Sequence, residues 1–470
     1  MRPILKPLVL AALLLTAAPA MAAPGPAPAS WTLAPDLASQ VDQAVEAELK
    51  RTGTPAASVA VVRDGRIAYL RAYGLARLAP AAAATPAQRF EIGSVSKQFT
   101  AAAILLLAEE GKLSLDDKVS RWLPGLTAAD RITIRQLLSH TSGYRDYWPQ
   151  DFLPPFMARP TTPDAILDRF ARSPLDYEPG DEWQYSNTGF VAAGRIVELA
   201  SGMPLQRFLE QRIFGPLKMS SVVEHDTRPL PPEDPAGYTR YALGAPLPAP
   251  KEGRGWLFGA AGLAMTPADL ARWDVAMIRR ELLRPESWKA MQISTRLNNG
   301  RDAAYGLGVY ARSDGQQRLI AHGGAVMGFL AENRIWPDQG AALVVLVNGD
   351  YGDPGAIADR IGEALPLAAR PSAQETAAAR AFFEELVKGR VDRTRLTEAG
   401  ASYFTPAALA DHAGSLGGLG ALASFEPVSR RVRGGFSQEV YKAKLGDRSL
   451  RIVARAADGR YEQFLVLPGD

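Results

Sequence analysis

Phe90-Glu91-Ile92-Gly93-Ser94-Val95-Ser96-Lys97-Gln98-Phe99-Thr100 carries the single Ser-x-x-Lys pair of the chain, Ser94 and Lys97. Beyond it Val95, Phe99, Ala102, Ala103, Leu106 and Leu107 recur at a 3.6-residue period up to Gly111. That spacing predicts a helix with glycine just past its end. Gly93 before and a helix after place Ser94 at or near the first turn. Side chains three apart share a helix face, so the Lys97 ammonium lies within reach of the Ser94 hydroxyl. A serine hydroxyl is a weak nucleophile until a neighbouring base takes its proton. A lysine does so where burial or adjacent positive charge lowers its pKa. The helix N-terminus adds free N–H groups and the positive end of a dipole, where an oxyanion is favoured. A Ser-x-x-Lys pair also arises on ordinary solvated helix faces, so the rest of the chain has to decide.

Outward from this stretch, residues 37–49 read as a helix, with Val41, Val45 and Leu49 at helical spacing. Residues 57–62 and 67–73 are β-rich runs around Arg63-Asp64-Gly65-Arg66, whose Asp-Gly predicts a hairpin. A second strand pair, 329–336 and 341–347, flanks Pro337-Asp338-Gln339-Gly340, and 355–365 reads as a closing helix. Strands at both ends with helical sequence between predict an α+β fold, one antiparallel sheet built from both ends and packed by helices. In the middle, residues 132–143 read as a helix running into a turn. Thr266-Pro267-Ala268-Asp269 combines an N-cap, proline at N1 and an acidic N3. Residues 228–250, proline-rich and aperiodic, read as a long surface excursion. Composition shifts again around 366–372. A helix at 377–387, a Gly/Leu-rich stretch at 416–425 and alternating strands at 436–443, 449–454 and 461–467 predict a small α+β module. The expected boundaries are 36–368 for the main domain and 372–470 for the C-terminal one.

Arg2 and Lys6, the apolar run 8–18 and Ala20-Met21-Ala22 read as a signal peptide over 1–22, followed by an Ala/Pro linker over 23–35. The apolar run is too short to span a bilayer, so the mature chain is expected in the periplasm or secreted, without stable membrane insertion. The 53 Lys plus Arg nearly balance 50 Asp plus Glu, which offers no electrostatic case for nucleic acid as a partner. The chain has no cysteine, and its four histidines show no ligand spacing, so neither a metal nor a cofactor is expected.

Tyr185-Ser186-Asn187, the one Tyr-x-Asn, follows a turn and precedes the helical run 190–199. A tyrosine held in a loop against a helix start can point into a cleft and, deprotonated near a lysine, act as a base. An ordinary buried tyrosine with an asparagine N-cap gives the same pattern. His322-Gly323-Gly324-Ala325 lies on an expected strand, where glycines suggest close approach by another backbone or a ligand. His140 and Ser142 invite a Ser/His pairing, but no acidic third member has a recommending spacing, and 139–143 reads as turn chemistry.

In this order, Ser94-x-x-Lys97, Tyr185-x-Asn187 and His322-Gly323-Gly324 resemble the motifs of the serine β-lactamase and penicillin-binding superfamily. The most similar branch is the class C β-lactamase-related group, with its D,D-carboxypeptidases, D-aminopeptidases and esterases. Residues 132–143 and 259–273 resemble further stretches of that group, and the resemblance covers 37–365. It implies an antiparallel sheet flanked by helices with an all-helical subregion. It also implies Ser94 as the acylated nucleophile, Lys97 and Tyr185 sharing its proton, and Asn187 positioning substrate. The oxyanion hole would be the N–H groups of Ser94 and Ala325, on the substrate-binding strand with His322, Gly323 and Gly324. One departure bears on substrate. The third motif of such β-lactamases begins with lysine and threonine, where this chain has His322-Gly323. Three functions follow: a serine hydrolase of a small peptide, amide or ester; a class C-type β-lactamase; or a non-catalytic penicillin- or cell-wall-binding protein. All the catalytic residue types are present, which favours the first.

Overall fold

Two strands set the centre of the molecule. The computed structural model describes residues 33–150, 152–314, 317–365, 371–433 and 436–469. The expected signal peptide and most of the expected linker therefore lie outside the described residues. The main region contains α1 (Pro35–Thr52), β1 (Ala56–Arg63), β2 (Arg66–Leu78), β3 (Ala81–Ala83), α2 (Lys97–Glu109) and α3 (Asn187–Ser201). It continues with α4 (Pro267–Arg279), β4 (Tyr310–Asp314), β5 (Gln317–Val326), β6 (Phe329–Trp336), β7 (Ala341–Val347) and α5 (Pro354–Ala364). The seven strands form one antiparallel sheet in the order β3-β2-β1-β7-β6-β5-β4.

β1 and β7 pair from Ala57↔Val347 to Val62↔Ala342, which joins the two ends of the region in the middle of the sheet. Both are apolar at nearly every position because both faces of the sheet are covered. Ala57, Val59, Val61, Leu343 and Val345 pack with Val41 and Val45 of α1 and Ile357 and Ile361 of α5. Ala60, Val62, Val344 and Leu346 join the larger core, with Phe99 of α2 and Leu270 and Trp273 of α4. Each of the valine, leucine, isoleucine and phenylalanine side chains contributes about 1.5–3 kcal/mol on full burial. The result is the α+β arrangement expected from the sequence, with mostly helical chain inserted between the two halves of the sheet.

The free edge of β5 positions the site. β4 pairs with residues 317–321, so among the described residues β5 runs on to Val326 without a partner strand on that side. Residues 93–96, a single 3₁₀ turn ahead of α2, pack there. Two glycines permit the contact. A Cβ on Gly324 would lie 2.0 Å from the Ile92 carbonyl oxygen, and one on Gly93, at φ +51°, 2.6 Å from the Ala325 nitrogen. The close backbone approach expected at the glycine pair thus occurs at Gly324, whereas Gly323 has no comparably tight neighbour.

The sequence periodicity stops β2 at residue 73, but the strand continues to Leu78. Gly74, at φ +75°, carries the chain past Pro55, whose carbonyl oxygen would lie 2.1 Å from a Cβ there. The excursion at 228–250 forms a short strand pair, Tyr238–Thr239 with Leu247–Pro248. It is stitched to the end of β7 by Tyr238 N–H donating to the Asn348 carbonyl at 3.1 Å.

The C-terminal segment contains α6 (Ala373–Val387), a 3₁₀ turn and two shorter α-helices, and β8 (Leu422–Arg433), β9 (Phe436–Leu445), β10 (Arg448–Ala457) and β11 (Arg460–Pro468), an antiparallel sheet in that order. Phe382, Phe383, Tyr441, Ile452 and Phe464 form a core of their own. The strand β8 has no counterpart in the sequence reading. Its alternation is broken around Pro427, where the register with β9 shifts. Among the described residues no helix is long and apolar enough to cross a membrane.

Candidate active site

Ser94 sits on the 3₁₀ turn and Lys97 at the first position of α2, so one backbone turn sets their approach. Lys97 is 0% exposed. Its Nζ lies 3.0 Å from Ser94 Oγ, 2.7 Å from Asn187 Oδ1 and 2.9 Å from the Ala260 carbonyl oxygen. Two of these partners can only accept. A neutral Lys97 amine therefore spends its two protons on Asn187 and Ala260 and turns its lone pair to the Ser94 hydroxyl. Burial lowers the Lys97 pKa to about 7, against the pull of the nearby Asp146 carboxylate, so that neutral form is available near neutral pH.

Asn187 opens α3, behind the N-cap Ser186. Its Nδ2 donates to Asp146 Oδ1 at 3.1 Å and its backbone N–H to the same oxygen at 3.0 Å. Asp146, 8% exposed, thereby fixes which way the Asn187 amide faces, and burial raises its own pKa above the usual carboxylate range. The Tyr185 hydroxyl hydrogen-bonds Ser94, and burial is the larger influence, pushing its pKa well above 10. The resting Tyr185 is a neutral phenol. Its ring centroid stands 4.8 Å from Lys97 Nζ.

His322 is 2% exposed and does not line the cleft. Ser186 N–H donates to His140 Nδ1 at 3.1 Å, which leaves the His140 proton on Nε2, facing the Tyr305 hydroxyl at 3.2 Å. Tyr305 in turn donates to His322 Nε2 at 2.9 Å, and His322 Nδ1 donates to the Gly323 carbonyl at 2.6 Å. Every proton in this chain has one place to go. Burial first, then the charge of Lys97, lowers His322 to about 3 and His140 well below 6.5, so both imidazoles are neutral. The His140 ring also packs on Tyr185, with centroids 4.3 Å apart.

These groups close one end of a cleft of about 680 Å³. Of the residues singled out from sequence, Ser94, Tyr185, Asn187 and Ala325 line it, with Lys97 buried behind Ser94. His322, Gly323 and Gly324 stand behind the wall. Their strand holds Ala325 beside the Ser94 turn, but the His322 side chain is committed to Tyr305. Among the described residues the lining includes Asp146 and Asp350 and no arginine or lysine. Among the described residues no group of three or more His, Asp or Glu is placed to hold a metal.

Sequence reading did not find Asp146, Tyr305 or the Ala260 carbonyl. A lone aspartate among aromatics carries no spacing signal, and a carbonyl carries none at all. It found His140 only as a turn residue, and His140 does sit in a turn, at φ +59°. Ser142 is turn chemistry, accepting the Tyr144 N–H at 3.3 Å.

A helix-covered antiparallel sheet with a serine, a buried lysine three residues on and a tyrosine over both defines the class of active-site-serine acyl-transfer folds. A family model described as Beta-lactamase matches residues 41–368, and the chain belongs to that family. It is 32% identical over 309 residues to a penicillin-binding protein of Bacillus subtilis, covering 62% of this chain and 67% of that protein. Protein flp of Staphylococcus aureus is 27% identical, and the match spans 63% of its length, under two thirds. Among solved structures, a D-stereospecific amidohydrolase from Streptomyces is 28% identical with a TM-score of 0.60, covering 68% of this chain and 97% of that one. An octameric penicillin-binding protein homologue from Pyrococcus abyssi, 19% identical, shares the fold at a TM-score of 0.62 over 92% of this chain and 99% of that one.

Proposed function

We propose that this chain is an exported serine hydrolase that cleaves a small peptide, amide or ester through an acyl-enzyme on Ser94. The observation that carries the reading is the buried Lys97 amine, whose lone pair has one direction left to face, the Ser94 hydroxyl at 3.0 Å. Ser94 Oγ gives its proton to Lys97 Nζ and bonds to the substrate carbonyl carbon. The oxyanion that forms lies by the N–H groups of Ser94 and Ala325, each such donor contributing roughly 10²–10³ in rate. Lys97, now an ammonium, returns the proton to the leaving nitrogen or oxygen through the Tyr185 hydroxyl. A water, deprotonated by the same route in reverse, then releases the acid and restores Ser94.

The choice of substrate follows from charge. At the head of the third motif a lysine would present a permanent cation to a substrate carboxylate. His322 is neutral, buried and bonded to Tyr305, and among the described residues no arginine or lysine side chain lines the cleft. A penicillin carboxylate finds no lysine at the head of the third motif, which favours ester and amide substrates over β-lactams. The likeness to a D-stereospecific amidohydrolase supports substrates with a D-residue at the scissile bond. The test is kcat/KM for a chromogenic cephalosporin beside a p-nitrophenyl ester and a D-aminoacyl anilide. The ester or anilide should win. A cephalosporin value of about 10⁵ M⁻¹s⁻¹ or more, usual for an enzyme on its proper substrate, would install the β-lactamase reading instead. Export rests on residues 1–22, and N-terminal sequencing of protein from the periplasm or medium should begin at Ala23; an uncleaved chain in the cytoplasm would refute it.

A further inference from the structure

Behind the nucleophile turn lies a second cavity of about 440 Å³, within the roughly 300–1,000 Å³ typical of small-molecule sites. The two hollows share a wall. Ser94 and Ala261 line the cleft, whereas Ser96, Thr100, Phe258 and Leu263, from the same two segments, line the rear cavity. Hydrogen bonds hold the wall together. Leu263 N–H donates to Ser96 Oγ at 3.2 Å, Thr100 Oγ1 donates to the Gly259 carbonyl at 2.7 Å, and Lys97 donates to the Ala260 carbonyl at 2.9 Å. The rear cavity is thus a separate space, one turn of chain from the catalytic base.

Its interior is apolar, with Leu205 and Leu209 joining Phe258 and Leu263. Its rim is acidic. Asp164, Glu198, Glu224 and Asp226 stand against Arg195 and Arg254. Arg195 is occupied by Asp164, at 2.8 Å, and by Glu198. Glu224 and Asp226 have no cationic partner among the described residues. Glu224 accepts the Thr227 N–H at 2.8 Å, and Asp226 accepts the N–H groups of Gly255, Leu257 and Phe258 at 2.8, 3.1 and 2.8 Å. Two neighbouring carboxylates that make no ion pair among the described residues outnumber the remaining guanidinium of the lining, Arg254, and at the mouth of an apolar hollow they favour an ammonium group over an anion.

We propose that the rear cavity binds a small molecule with an apolar body and a single ammonium head, the body against Leu205, Leu209 and Phe258 and the head at Glu224. The site takes no part in the reaction at Ser94 and does not depend on the function proposed for it. The test is isothermal titration of the whole chain with butyl-, hexyl- and octylammonium, with octanoate as the anionic control. Affinity should rise about four-fold per added CH₂ until the chain fills the cavity, and octanoate should bind at least ten-fold more weakly than octylammonium. Glu224→Gln, at a partly exposed position, should weaken octylammonium about ten-fold and leave octanoate unchanged. Leu209→Trp, which fills the floor, should abolish binding of both; should that variant fail to fold, Glu224→Gln decides. Octylammonium should still bind after Ser94 has been blocked with a fluorophosphonate. Absence of saturable binding, octanoate binding as tightly, indifference to Glu224→Gln, or loss of binding on blocking Ser94 would each overturn the proposal.

Discussion

Asp146→Asn isolates the electrostatics of the base. Lys97 and Asp146 are separated by a single amide, with Nζ 2.7 Å from Asn187 Oδ1 and Asn187 Nδ2 3.1 Å from Asp146 Oδ1. Two charges so placed attract by roughly 2 kcal/mol at an effective dielectric of about 20. An ionised Asp146 favours the ammonium form of Lys97 and so holds its pKa up, against the burial that lowers it to about 7. Proton removal from Ser94 needs the neutral amine, so wild-type reactivity should rise with pH through about 7. Asparagine keeps an oxygen to accept from Asn187 but removes the charge, and the Lys97 pKa should fall by roughly one to two. The rising limb then moves to about pH 5–6. At pH 5.5 the neutral fraction of Lys97 grows from roughly 3% to about half, so the variant should react roughly ten-fold faster than wild type there. Above pH 8 it should be slower, because its base is weaker. The assay is the second-order rate of fluorophosphonate labelling at Ser94 across pH 5–9, followed by intact mass. A limb that stays in place or moves to higher pH would refute the assignment of Lys97 as the base.

Tyr305→Phe removes the hydroxyl that joins two buried imidazoles, leaving His140 Nε2–H and His322 Nε2 without partners. It should cost roughly 2–4 kcal/mol, read as a lower urea midpoint, and lower kcat with KM nearly unchanged, because Tyr305 positions the Tyr185 loop and the Ala325 strand without meeting substrate. A raised KM at constant kcat would place it in substrate binding instead. We propose the boundary between the two folding units near Pro371. A chain ending at Arg370 should fold and still label at Ser94, since the core of the C-terminal segment draws on residues 379–464. An insoluble product would show that the two fold as one.

The main sheet was legible because β1 and β7 are apolar at nearly every position and each belongs to a hairpin with an identifiable turn. The nucleophile turn was legible because Ser94, Lys97 and the helix period coincide in one stretch. What could not be read depends on contacts between distant segments. Asp146 acts only through Asn187, 41 residues on, and Tyr305 only through His140 and His322, 165 and 17 residues away. Neither has a local pattern. His322 illustrates the converse. Its motif position suggests a substrate-facing group, but side-chain direction along a strand depends on register, and in register with Asn333 of β6 it points into the protein towards Tyr305. The strand β8 was hidden by Pro427, which breaks the two-residue alternation by which a half-buried strand is recognised.

The central claim is that Ser94 is made nucleophilic by Lys97 and carries the acyl group. Intact-mass spectrometry after incubation with a fluorophosphonate tests it most directly. Wild type should gain one label, mapped to the peptide containing Ser94. Ser94→Ala should gain none and lose at least ~10³-fold in ester hydrolysis. Lys97→Ala should label orders of magnitude more slowly. Undiminished labelling of Ser94→Ala, or labelling of Lys97→Ala at the wild-type rate, would contradict the account.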